Sequence, residues 1–138
     1  MKLALRTGPA VDATFMHRLA SDAIKARLVT DYPHAGIVIG DLLYHASAKG
    51  GLQCVPYTPE RWELIELGDD FDADALESFD KYQGAGYDWV SLLAFAFISA
   101  RDSKRFYCYE WCYLAITGKN PTSRVTPETL LKLALDMR

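Results

Sequence analysis

The stretch YPHAGIVIGDLLYHAS, residues 32–47, decides how the first half of the chain is read. Two short apolar runs flank Gly40-Asp41, a dipeptide suited to a tight two-residue turn, so the segment predicts a β-hairpin. Such a turn sets residue 39 opposite 42, 37 opposite 44, and 36 opposite 45. His34 and His45 then stand near one another at the same end of the hairpin. Two histidines on neighbouring strands can act as a base and the group that orients it. The plainer alternative is that His45 packs beside Tyr44.

Working outward, GLQCVPY (51–57) and WELIELG (62–68) are further strand candidates, separated by the loop signals Pro56, Thr58 and Pro59. Upstream, SDAIKARLV (21–29) suits one short helix capped by Ser21, although its period is ambiguous. After Asp69-Asp70 the period lengthens. Phe71, Ala75, Leu76, Phe79 and Tyr82 recur at helical spacing, and Gly84 and Gly86 close the run. Residues 87–99 are apolar nearly all round and predict a buried helix. A polar break, DSKRF, precedes a helix from Cys108 to Thr117 that ends near Gly118. The tail opens with Thr126 as N-cap and Pro127 in the first helical position. Strands in one block and helices in the next predict a single α+β domain over residues 1–138, with an antiparallel sheet packed against helices.

The composition narrows the function. A chain of 138 residues, 50% hydrophobic and 24% charged, suits one globular domain with one core. A formal charge of −3 gives no reason to expect nucleic acid, because phosphate binding wants a basic surface. The longest apolar run, VSLLAFAFISA at 90–100, falls well short of the roughly 20 residues that span a bilayer. The start, MKLALRTGPAVDATF, shows no signal-peptide pattern, and three cysteines make no even disulfide framework. Reduced thiols in a cytoplasmic protein are the expectation.

Two of those thiols lie in RFYCYEWCYLAI, residues 105–116. A helix N-terminus favours a thiolate through its partial positive charge and free N–H groups. Cys108 opens its helix, whereas Cys112 lies one turn further in, among apolar neighbours. Cys108 is therefore the candidate nucleophile, against the alternative that both are small core residues. As a metal site the pair lacks a second half elsewhere in the chain. The acidic DDFDAD run lacks the terminal glutamate of a calcium loop. No cofactor or metal is expected. His17 has no partner pattern, Cys54 sits mid-strand as a packing residue, and Glu110 suits the first helical turn as a carboxylate.

Taken together, these segments resemble the permuted NlpC-type papain-like enzymes, whose branch includes lecithin:retinol acyltransferase-like proteins. YPHAGIVIGDLLYHAS is similar to the family's "sHvGI-ig-g-yHa" hairpin. FYCYEWCYLAI matches "Y-C-S-E-L-V" at Cys108 and Glu110, and GAGYDWVSLLAF resembles "G-x-x-Y-D". The resemblance covers about His34 to Ile116, in the family's permuted order. It implies a permuted papain-like fold with Cys108 as nucleophile, His34 as base and His45 as the orienting residue. It also brings Tyr87 toward the site as a substrate-binding residue. Tyr109 replaces the usual serine and would narrow the cleft as a second substrate contact.

The function so implied is thiol-dependent hydrolysis or acyl transfer at an amide, ester or thioester. The substrate would be a cell-wall peptide, as for a cysteine peptidase or amidase, or alternatively a lipid. The rival from another class is a non-catalytic binding module. Its motive is the aromatic density of Phe106, Tyr107, Tyr109, Trp111 and Tyr113, which would form a binding face or plug the cleft. A deep cleft reaching Cys108 favours the enzyme, and rings filling it favour the module. A membrane-surface acyltransferase lacks an apolar anchor and a basic patch.

Overall fold

The computed structural model describes residues 1–8, 31–47, 49–68, 70–86 and 106–137. The helices expected at 21–29 and 87–99 lie outside the described residues, as do His17 and Tyr87. Five strands are described: β1 (Lys2–Arg6), β2 (His34–Ile39), β3 (Leu42–Ser47), β4 (Gly51–Pro56) and β5 (Trp62–Glu66). They form one sheet in the order β4-β3-β2-β1-β5, and every neighbouring pair is antiparallel. Among the described residues the helices are α1 (Asp72–Tyr82), α2 (Cys108–Thr117) and α3 (Pro127–Asp136). The chain is thus an α+β protein.

The hairpin has the register that its turn dictates, with Ile39 opposite Leu42 and Ile37 opposite Tyr44. Gly40 takes φ +58 while Asp41 stays at negative φ, the pattern of a type II′ turn, which needs a left-handed residue only in its first central position. β1 was not foreseen. It is the fourth strand of the sheet and lies between β2 and β5, with Leu3 and Leu5 fully buried. Three apolar residues in five gave no turn signal beside them, and both partners are distant in sequence.

Strand alternation divides the sheet into two faces. Leu3, Leu5, Ala35, Ile37, Tyr44, Ala46 and Leu52 join the main core with Ala75 and Phe79 of α1, most of α2, and Leu130 and Ala134 of α3. Ala4, Val38 and Leu43 form a separate small cluster on the opposite face, extended by Val55, Tyr57 and Trp62.

Helix α2 is held to the first face at both of its layers. The indole N–H of buried Trp111 donates to the Tyr44 carbonyl at 3.1 Å. The Phe79 ring meets Tyr44 and Trp111 edge-on, with centroids 4.9 and 5.9 Å away. The helix ends as expected. Gly118 adopts φ +66 and donates its N–H to the Leu114 carbonyl. At α3, Thr126 caps through its side chain in a reciprocal box with Thr129, and Pro127 follows.

The chain beyond α1 turns back onto the sheet. Leu52 N–H donates to the Ala85 carbonyl at 2.9 Å, and Gly84 N–H to the Leu52 carbonyl at 3.1 Å. Gly51, at φ +65, must be glycine here, because a Cβ would stand 2.2 Å from the Ala85 oxygen. Phe106 N–H reaches the Gly86 carbonyl at 3.3 Å, which brings the start of α2 to this same margin.

Candidate active site

His34 opens β2 and His45 lies in β3, and their register makes them diagonal neighbours on one face. Their rings meet edge-on with centroids 5.1 Å apart, and His34 Nε2 lies 2.8 Å from His45 Nδ1. The hairpin thus joins the two histidines that the sequence paired. Gly36 makes the approach possible. A Cβ there would stand 2.7 Å from Leu43 Cδ1 and 3.2 Å from the His45 Cβ.

The surroundings hold both rings neutral. His34 is 8% exposed, and its pKa falls well below the ordinary value of 6.5, first through burial and then through His45 and Arg6. The His45 pKa is lowered to about 4, again by burial first and by the Arg6 cation second. Arg6 is aligned with His34 across β1–β2 and with Trp62 across β1–β5. Its guanidinium carbon lies 5.6 Å from the Trp62 ring centre, and the Trp62 ring is 5.8 Å from that of His34. On the other side of the pair stands Gln53 of β4, opposite His45, with its amide near His45 Nε2 and Ser47 Oγ.

Sequence reasoning missed Arg6, Trp62 and Gln53. For Gln53 a signal existed. Gly50-Gly51 after the second histidine marks a turn, and a hairpin that pairs Ser47 with Gly51 sets Gln53 opposite His45. Arg6 and Trp62 arrive through β1 and β5, whose pairings no local pattern announces.

Cys108 is the first residue of α2, as expected, and follows Tyr107 in extended conformation without a side-chain cap. Its first turn docks at the start of β2, where the Tyr109 hydroxyl donates to the Tyr32 carbonyl. The two halves of the expected triad nevertheless belong to different layers. The imidazoles leave the sheet on the face of Val38 and Leu43, whereas Cys108 belongs to the core under the other face and is 1% exposed. Cys112 is buried beside it, and burial pushes its thiol well above the ordinary value, with Cys108 adding to the shift. A protonated, buried Cys112 is a packing residue. Cys54 is half-buried against the same core.

Tyr109 is fully buried, with its hydroxyl committed to Tyr32, so it anchors the helix here and offers no surface to a substrate. Phe106, Tyr107 and Trp111 are likewise interior, and Tyr113 is half-buried. The aromatic density around the cysteine is core and not an exposed binding face. Glu110 is buried in the first turn of α2. Tyr87 lies outside the described residues. Among the described residues no cluster of three or more His, Cys, Asp or Glu side chains is placed to hold a metal ion, and no helix is long and apolar enough to cross a membrane. Comparison of the chain with protein-family models, with curated proteins and with solved structures found no match.

Proposed function

We propose that the chain is a thiol-dependent hydrolase or acyl-transfer enzyme of permuted papain-like type, with Cys108 as nucleophile, His34 as base and His45 as its orienting partner. The observation that carries this reading is the 2.8 Å contact between His34 Nε2 and His45 Nδ1. One ring fixed by another is what a general base needs if its free nitrogen is to point consistently at a substrate or nucleophile. Burial keeps His34 unprotonated and so able to accept a proton. It also makes the cation costly, so proton uptake favours a step that creates an anion nearby, such as a thiolate. The first turn of α2 docks at the lead-in to β2, two residues from His34, and the reaction requires the Cys108 thiol to reach the imidazoles from the core layer on the other face of the sheet.

In the proposed cycle His34 takes the thiol proton and the thiolate adds to the carbonyl carbon. Backbone N–H groups at the helix start steady the oxyanion. The C–N or C–O bond, or the C–S bond of a thioester, then breaks, and the leaving group departs with the proton from His34. Water or another acceptor, deprotonated by the same ring, releases the acyl group and restores the thiol. A cell-wall peptide amide is the first substrate class to try, and a lipid ester or thioester the second.

A non-catalytic scaffold is the second reading, favoured by the burial of Cys108 among Tyr107, Tyr109 and Trp111. One experiment separates the two: the alkylation rate of each cysteine against pH, with the site read by mass spectrometry, in wild type and His34→Ala. The enzyme reading expects Cys108 to react well below the ordinary thiol pKa of about 8.5 and to lose that advantage in the variant. A Cys108 that reacts slowly, or alike in both proteins, leaves the scaffold.

A further inference from the structure

The two edges of the sheet are built differently. Between β1 and β5, Thr7 N–H donates to the Arg61 carbonyl at 2.9 Å and Leu67 N–H to the Met1 carbonyl at 3.0 Å. Bonded and unbonded pairs alternate in an antiparallel ladder, so Glu63 and Ile65 also bond toward β1. Trp62, Leu64 and Glu66 then turn their backbone groups outward. Among the described residues only the Trp62 N–H of this outer row has a backbone partner, the Pro59 carbonyl at 3.4 Å. At the opposite edge β4 is largely closed. Its outward residues are Leu52, Cys54 and Pro56, of which Leu52 bonds to Gly84 and Ala85 and Pro56 has no N–H to give.

The open edge is also where an apolar side chain is left out. Leu64 is 39% exposed and stands opposite Ala4, on the face of the smaller apolar cluster that Trp62 extends. The residue order of WELIE suits pairing with itself. A two-fold axis through Leu64 sets Leu64 opposite its own copy, Trp62 opposite the second copy's Glu66, and Glu63 opposite the second copy's Ile65. Every glutamate then faces an uncharged residue. Leu64 exchanges both backbone bonds across the axis, and the Glu66 N–H reaches the second copy's Trp62 carbonyl.

The neighbouring registers are worse. An axis through Glu63 opposes two carboxylates directly. One through Ile65 aims the Trp62 carbonyl at Gly68, whose φ of +85 lies outside the strand. The carboxylates of the favoured register arrive already engaged. Glu66 lies 2.8 Å from the Lys2 ammonium, and Glu63 accepts the Tyr32 hydroxyl at 2.6 Å.

We propose that the β5 edge is a self-association surface, at which two copies of this chain pair antiparallel about Leu64 and join their five-stranded sheets into one. The second copy's Leu64 extends the smaller apolar cluster across the axis. One strand pair is a small interface, below the roughly 1,200 Å² of standard complexes, so the dimer dissociates on dilution. It is independent of any chemistry at Cys108.

Sedimentation velocity of the full chain from about 1 μM to about 1 mM should show the mass rising from one copy toward two. Leu64→Lys and Leu64→Glu each set like charges against one another on the axis and should weaken the dimer at least about tenfold. Mixed in equal amounts, these two variants should associate again, because the axis sets position 64 against itself. Leu64→Pro removes an N–H that faces away from β1, so it should keep the sheet and abolish the dimer. If that variant does not fold, the charged pair decides. A wild type that stays monomeric throughout overturns the proposal and leaves the edge to an extended segment of another protein. Charged variants that dimerise as wild type does also overturn it, as does a mixture no more associated than either variant alone.

Discussion

The Nε2 of His34 and the Nδ1 of His45 stand 2.8 Å apart on a sheet face that also carries the Arg6 cation. Two imidazoles this close, beside a cation, cannot both be charged without cost. That arrangement has a consequence for stability. Both rings are neutral in the folded chain, His45 with a pKa of about 4 and His34 also well below 6.5. Unfolded, each would take a proton near pH 6.5, so below that pH the unfolded chain binds more protons and gains relative to the fold. Stability should be fully present above about pH 6.5 and fall by up to about 1.4 kcal/mol per pH unit for each histidine on the way to about pH 4. Urea midpoints measured across this window check the slope. A His34→Asn/His45→Gln variant should flatten it, and equal slopes in both proteins would contradict the account.

Gly36→Ala places a methyl group 2.7 Å from Leu43 Cδ1, 3.1 Å from the Tyr44 carbonyl oxygen and 3.2 Å from the His45 Cβ. The backbone oxygen cannot move as a side chain can, so the strands must part. The expected cost is about 1–3 kcal/mol in chemical denaturation. Loss of the coupled histidine signals should accompany it. A variant as stable as wild type would show that β2 and β3 have slack at this point.

The hydroxyl of Tyr107 donates to the Val125 carbonyl and accepts the Val125 N–H, both at 3.1 Å and both buried. This clasp joins the residue before Cys108 to the residue before the cap of α3. Tyr107→Phe removes both bonds and leaves two buried backbone groups without them, at a cost of about 2–4 kcal/mol. Urea unfolding measures the loss. Because Tyr107 precedes α2, amide exchange in the first turn of that helix should also quicken.

Cys112→Ala tests which thiol matters. Its side chain is fully buried and its thiol is held protonated, so wild-type Cys112 should resist alkylation between about pH 6 and pH 9 unless the protein unfolds. Replacement removes one sulfur from a packed core and should cost about 1–2 kcal/mol without changing the pH profile of Cys108. Cys112 modified ahead of Cys108 in folded protein would reverse their assignment.

How much of this was legible follows from sequence separation. The Gly40-Asp41 turn, the helix from Cys108 to Gly118 and the Thr126-Pro127 start are local signals, and each is where the sequence put it. The His34–His45 approach was legible because a two-residue turn fixes register by parity alone. The layer of each side chain was not. Parity says that His34 and His45 share a face, but which face the helices cover depends on where α2 lands, and Trp111 reaching the Tyr44 carbonyl decides that. The aromatics around Cys108 were ambiguous for the same reason, because composition does not distinguish a core ring from a surface one. β1 escaped because its pairings, Lys2 with Val38 and with Glu66, span most of the sheet's length in sequence.

That same strand bears on how the protein is made. Translation delivers Lys2–Arg6 before both of its neighbours, His34–Ile39 and Trp62–Glu66. The meander β2-β3-β4 closes through short turns and has everything it needs once residue 56 has emerged. β1 can join it on one side at that stage, but its other edge waits for β5. During that interval a nascent strand rich in leucine has one row of unpaired amides, the state in which chains recruit the wrong partner. Synthesis paused between the emergence of residues 56 and 66 should therefore be the moment at which this protein most depends on a chaperone.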